Sequence, residues 1–265
     1  AVAMLAREGG LPADLRARMY EGQRVRGNML PDVLTSQLRD ETAGEPVGQR
    51  VVRIATHHAV RSRGLGSHLL ASIRDEFAAD VDWLGAGFGA TPGLLSFWRA
   101  NGFGTVHLST TRNDASGEHS AIVLDPCSEA GRALHDRHSA WFCRRAPSML
   151  ADALAAVDPD VVRAVLRGID ATPTLDLTAM EWRHVAGLPH GAAIFDTAPR
   201  PVRRLTFRHL VEPSDPDLLT DRQERLLVAK ALQARPWETV TDDLDYHSTS
   251  TCMRALGRAV TPLLE

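Results

Sequence analysis

The chain has 265 residues, 44% hydrophobic and 24% charged, with a formal net charge of −3. That suffices for one large or two moderate soluble domains with a proper core, and the charge does not announce a nucleic-acid binder. No apolar run approaches a membrane span, no signal peptide opens the chain, and Cys127, Cys143 and Cys252 form no C-x-x-C pair, which argues against a zinc site or disulfide framework and suits a cytoplasmic protein.

Ala1 to Ala6 is a strand-like or buried apolar run, and residues 12–20 read as a short helix with proline near its start. A basic turn from Gln23 to Pro31 leads into a helix over 31–38. Residues 40–49 read as a polar, mobile loop. Val51, Val52, Ile54 and Ala55 predict a buried strand. Arg61-Ser62-Arg63-Gly64-Leu65-Gly66-Ser67 follows as a basic glycine turn, and Leu65, Leu69, Ile73 and Phe77, with Leu70 beside them, mark one face of a helix. Residues 81–88 predict a second buried strand. Thr91-Pro92 caps a helix carrying Leu94, Leu95, Phe97 and Trp98 that ends at Asn101-Gly102, and residues 105–109 and 119–124 pair around the turn at 113–117.

Strand, glycine turn and helix in that order form an anion site, because glycines let the backbone approach and the first-turn amides point at a phosphate. No Walker loop occurs, and Leu69 stands where a dinucleotide fingerprint needs its third glycine. What is left, R-x-x-G-x-G, resembles the pyrophosphate loop of the GCN5-related N-acetyltransferases, the GNAT family of acetyl-coenzyme A enzymes.

Further strings occur in one order: Glu8-Gly9-Gly10, Arg26-Gly27-Asn28, Arg53-Ile54-Ala55-Thr56-His57, Gly87 to Pro92, Phe97-Trp98 with Gly102-Phe103, and Ser116 to Ser120. Over about residues 1–125 they resemble the RNA cytidine acetyltransferases, known in bacteria and archaea as tRNA(Met) cytidine acetyltransferases. Two positions depart from that pattern, His58 for the usual proline and Thr56 for valine. The resemblance implies an α/β (α+β) GNAT mixed sheet flanked by helices over 1–127, acetyl-CoA as donor, and the exocyclic amine of a cytidine in tRNA or rRNA as acceptor. The wobble cytidine of elongator tRNA(Met) is the leading target. It implies pairing of Ile54, Ala55 and Thr56 with pantetheine, residues 61–67 on the pyrophosphate with charge from Arg61 and Arg63, and Phe97, Trp98, Arg99 and Asn101 on the helix flanking the coenzyme. Such folds carry further elements ahead of the cofactor strand, so a fragment of a longer protein is expected, with ATP and magnesium used only by an upstream module.

Cytosine's amine is delocalised into its ring, so attack on a thioester needs a base near the departing proton. His57, at the end of the cofactor strand, is the candidate base, with Glu8 and His119 as further candidates. Direct transfer is expected, since no cysteine has the context of a nucleophile.

Beyond Asp125-Pro126 the texture becomes mainly helical, as the resemblance implies for a C-terminal RNA-binding domain over 128–265. Helices are predicted over 129–155, with Leu134, Trp141, Met149, Leu150 and Leu154 as packing positions. Others are predicted from Asp158-Pro159 to Leu166, over 176–186, from the Thr220/Gln223 capping box to Ala234, and over 249–260; residues 202–211 read as a strand. Lys230 is the only lysine, so 29 of 30 basic residues are arginine, suited to bidentate phosphate contacts. The RNA-binding candidates are Arg24, Arg26, Arg144, Arg145, Arg203, Arg204 and Arg208, with Phe207 beside Arg203-Arg204 as a stacking partner. His135, His138 and Cys143 supply no four-ligand metal set. The alternatives are an acetyltransferase acting on a protein or small-molecule amine, and a non-catalytic acyl-CoA- or RNA-binding module.

Overall fold

Alternation of side chains along short β-branched and glycine-bearing segments builds the first half of the molecule, and capped amphipathic helices build the second. A computed structural model describes residues 1–114, 116–213, 215 and 217–264, so Ala115 of the predicted turn lies outside the described residues. The chain divides into two units, Ala1–Ser139 and Ala140–Glu265.

In the first unit, β1 (Val2–Glu8), α1 (Ala13–Tyr20) and α2 (Met29–Asp32, continued by a π-turn over Val33–Gln37) precede β2 (Gly48–Ala55). Then come α3 (Leu65–Phe77), β3 (Trp83–Gly89), α4 (Pro92–Ala100), β4 (Gly104–Arg112), β5 (His119–Pro126) and α5 (Glu129–Ala151), and the division between the units falls within α5. The strands form one mixed sheet in the order β1-β2-β3-β5-β4, with β2 and β3 its only parallel neighbours.

Each face of the sheet has its own core. Val51, Leu84, Ala86 and Val123 pack with Leu70 and Ile73 of α3 and Trp98 of α4 on one side. On the other, Trp83, Val106, Ile122 and Leu124 pack with Leu30 and Leu34. Residues 40–49 are not a mobile loop: the Asp40 carboxylate caps a 3-10 turn over Glu41–Gly44, Ala43, Gly44 and Pro46 are buried, and Gly48 already belongs to β2. A Cβ at Gly48 would enter the Trp83 indole, which explains a glycine inside that strand.

The second unit holds α6 (Pro159–Leu166), α7 (Ala179–Gly187), α8 (Pro199–Val211), α9 (Asp221–Leu226, continued as a π-turn over Leu227–Leu232), α10 (Trp237–Asp243) and α11 (Thr249–Val260). Residues 202–211 are therefore helical rather than a strand. Pro199 sits at the helix start, and Val202, Leu205, Thr206, His209 and Leu210 recur at helical spacing as its buried face. Trp141 is 46% exposed instead of packed. The buried Glu224 carboxylate ties three helices together, accepting from Arg163 Nε at 2.6 Å, Arg167 Nη2 at 2.7 Å and His209 Nε2 at 3.1 Å.

Candidate functional site

The parallel pairing of β2 with β3 runs only from Gly48↔Trp83 to Val51↔Ala86. Beyond it β2 stays paired to β1 as far as Ala55, while β3 stays paired to β5 as far as Gly89. The two strands therefore part in a V. A bulge sits at the parting point: Met4 pairs with Arg53 and Leu5 with Val51, leaving Val52 as the extra residue. The edge of β2 from Val52 onward is thus free to pair with an extended ligand entering the V.

A groove of about 610 Å³ continues from that edge. It is lined by Ile54, Ala55, Thr56, Arg61, Ser62, Gly64, Leu65, Gly66, Ser67 and Phe97 among the expected residues, and by Val60, Gly93 and Leu94 in addition. Gly64 takes φ +76° as the N-cap of α3 and brings no side chain to the helix start, so the first-turn amides of Leu65, Gly66 and Ser67 are left to an anion. Gly66 is needed for another reason: a Cβ there would sit 3.2 Å from the Phe97 ring. Ser62 also holds a left-handed φ of 58°, which folds the loop tightly, and Arg61 and Arg63 project from it, exposed. This geometry suits the pantetheine and pyrophosphate of a coenzyme A thioester.

Other expected residues lie elsewhere. Trp98 is 3% exposed and packs in the core against Phe88, Phe97 and Phe103. Asn101 ends α4, its side-chain amide donating to Phe97 O at 2.7 Å, and Arg99 faces solvent.

Of the proposed catalytic groups, Glu8 is buried, with Oε1 at 2.5 Å from Arg50 Nε and Oε2 accepting from the Leu30 amide at 2.9 Å. It is a structural carboxylate. His119 is 8% exposed, its Nδ1 placed 2.8 Å from Ser109 O, which makes it a strand-to-strand tie. His57 is exposed just past β2, and its Nδ1 accepts from the Ala59 amide at 3.3 Å. A neutral ring so held carries its proton on Nε2, so it presents a donor there and not a basic lone pair.

The arginine candidates separate as well. Arg24 and Arg26 are exposed in the loop that enters α2. In the second unit a groove of about 690 Å³ gathers Arg144, Arg200, Arg203 and Arg204. Arg204 is occupied by Asp176 at 2.9 Å and Thr174 O at 2.8 Å, and Arg203 by Ala231 O at 2.8 Å. Arg144 is exposed and has no partner among the described residues. Arg145 is half-buried with its guanidinium over the Phe142 ring, and desolvation pulls it down to about 10, so it is no solvent-facing phosphate ligand. Phe207 is 5% exposed, too deep to stack a base, whereas Arg208 is exposed. His135 and His138 are engaged by Asp136 and Asp40.

The split parallel pair, the bulge and the uncapped glycine loop together define a GNAT-type core. The family profile described as GNAT acetyltransferase 2 matches residues 1–78 and 67–128. Over 264 residues the chain is 60% identical to the tRNA(Met) cytidine acetyltransferase TmcA of Haloferax volcanii, which covers 100% of the chain and 35% of that relative. The Haloarcula marismortui protein of the same name is 60% identical over 99% of the chain and 34% of its own length, and that of Nitrosococcus halophilus is 35% identical over 100% and 36%. The chain belongs to the tRNA(Met) cytidine acetyltransferase family. It spans about a third of the length of these curated relatives.

Proposed function

We propose that this chain is the acetyl-transferring portion of an RNA cytidine acetyltransferase, which uses acetyl-CoA to acetylate the exocyclic amine of a cytidine in tRNA. The relatives' name points to a cytidine of tRNA(Met), and within it we take the wobble cytidine of the elongator tRNA as the target. The observation that carries the reading is the V between β2 and β3 opening onto the uncapped loop of α3, in a chain so similar to enzymes of that name.

In this reading the free edge of β2 at Ile54 to Thr56 orients the pantetheine arm, and the first turn of α3 with Arg61 and Arg63 holds the pyrophosphate. His57, presenting Nε2–H, donates a hydrogen bond near the thioester and is not the base. Transfer is direct: Cys143 and Cys252 are buried, Cys127 is half-buried, and burial pushes all three thiols up, away from the reactive thiolate. Arg24 and Arg26, and separately Arg144, contact RNA phosphates, with rRNA as the alternative acceptor. ATP and magnesium belong to a module outside this chain, and the protein works in the cytoplasm.

The test is made in the source organism. The parent gene is inactivated, total tRNA and rRNA are digested to nucleosides, and acetylcytidine is quantified by mass spectrometry. Acetylcytidine should vanish, and return with the intact gene but not with one carrying bulky residues at 64 and 66. Unchanged acetylcytidine, with no second such enzyme present, would redirect the reading to protein or small-molecule amines.

A further inference from the structure

Strand β3 reads Trp-Leu-Gly-Ala-Gly-Phe-Gly, and its three glycines fall on one face, opposite the Phe88 face that packs on Trp98. Each is roofed by a different side chain. A Cβ at Gly85 would lie 2.8 Å from Leu30 Cδ1, one at Gly87 would lie 2.5 Å from Met29 Cε, and one at Gly89 would collide with Glu118 Oε2. The strip of bare backbone thus runs from the buried Leu30, past Met29 at 36% exposure, to a partly exposed carboxylate. Gly87 and Gly89 are also the part of β3 that β2 has left, so the carboxylate stands at the mouth of the V.

Glu118 has no side-chain hydrogen bond or ion pair among the described residues, whereas Glu8 is fully engaged. Its backbone is fixed, with the Asn113 amide donating to its carbonyl at 2.8 Å. On the same face of the sheet, Val2 and Met4 of β1 are 67% and 51% exposed. Exposed apolar side chains and an unpaired carboxylate on one face of the sheet suit a planar heteroaromatic ring that carries an amine.

We infer that Glu118 receives the acceptor amine and is the catalytic base, a deepening that rests on the proposed function. The N4 lone pair bonds to the acetyl carbon and the C–S bond breaks. One N4 proton passes to the Glu118 carboxylate and on to solvent, and the coenzyme leaves as a thiolate that takes a proton from solvent. Glycine at 89 lets the carboxylate lie flat over the strand, within reach of the V.

The experiment uses the full-length parent protein and a tRNA(Met) substrate, comparing Glu118→Gln, Glu118→Asp and Gly89→Ala for acetylcytidine formation and for acetyl-CoA binding by calorimetry. Glu118→Gln should lower kcat by about 100-fold or more while the KM values for acetyl-CoA and tRNA stay within about twofold. Glu118→Asp should keep an intermediate rate. Gly89→Ala displaces the carboxylate without removing it and should cost about tenfold in kcat. Wild-type kcat in Glu118→Gln overturns the assignment, as does an equal loss of acetyl-CoA binding, which would mark a structural role. A wild-type protein that makes no acetylcytidine overturns the proposed function and this inference together.

Discussion

The Glu8 carboxylate, wholly buried on β1, meets the Arg50 guanidinium of β2 at 2.5 Å. Its other oxygen accepts the Leu30 amide at 2.9 Å, so one side chain fixes α2 to the sheet and thereby sets Met29 over Gly87. Glu8→Ala should cost about 3–5 kcal/mol, because it strands a cation beside an unsatisfied amide. Glu8→Gln, which keeps an acceptor, should cost less. Thermal denaturation checks both, and any Glu8→Gln protein that folds should bind acetyl-CoA as the wild type does. Loss of binding in a folded Glu8→Gln protein would place Glu8 in the site after all.

The coenzyme loop makes a separate prediction. Gly64→Val puts a β-branched residue at φ +76°, costing about 1–2 kcal/mol, and Gly66→Val drives a side chain toward the Phe97 ring and into the groove. Each should lower acetyl-CoA affinity at least about tenfold, by loss of close approach to phosphate. Calorimetry on folded variants measures this, and wild-type affinity in both would remove the loop from the reading.

Adjacent arginines should behave differently. Arg144 is exposed and without a partner among the described residues, so Arg144→Glu should weaken tRNA binding and flatten its salt dependence by about one unit of slope, with acetyl-CoA binding unchanged. Arg145 is desolvated over Phe142, so Arg145→Glu should lower the melting temperature instead. A filter-binding series at several salt concentrations, run beside thermal denaturation, separates the two effects.

Asp40 carries a pH dependence. Burial pushes its carboxyl up, but hydrogen bonds from His138, Thr42 and Arg137 outweigh that and hold it well below the usual carboxylate range. The carboxylate's contribution to stability is therefore complete above the unfolded value of 3.8 and is lost as the pH falls further toward the folded value. Asp40→Asn should cost about 2 kcal/mol near neutrality and show a shallower loss of stability below pH ~4 than the wild type. Parallel acid-denaturation curves for the two proteins would reject this assignment.

Much of the architecture was legible before the structure because it depends on neighbours a few residues apart. Thr91, Asp158 and Thr220 all cap as expected, their oxygens accepting from Leu94, Asp160 and Gln223. The order of strand, glycine loop and helix over residues 48–77 needs only local periodicity and glycine chemistry, and the anion site proposed there rests on the same local features. Residues 202–211 misled because Val202, Thr206 and Val211 are β-branched, yet their spacing fits a helix whose burial outweighs propensity. The short α10, seven residues starting after Pro236, left no periodic signal long enough to read.

What only the tertiary structure decided was which polar groups are spent and which are free. Glu8, His119 and Glu118 look alike as residues in a sequence. Arg50 and Leu30 consume the first, Ser109 ties down the second, and Gly89 leaves the third open over a bare strand. Those partners lie between 10 and 42 residues away along the chain, so no local pattern encodes them. The sequence by itself determined most of the elements and the glycine loop ahead of α3, and folding determined the chemistry around them, because a charge's role depends on what long-range packing places beside it.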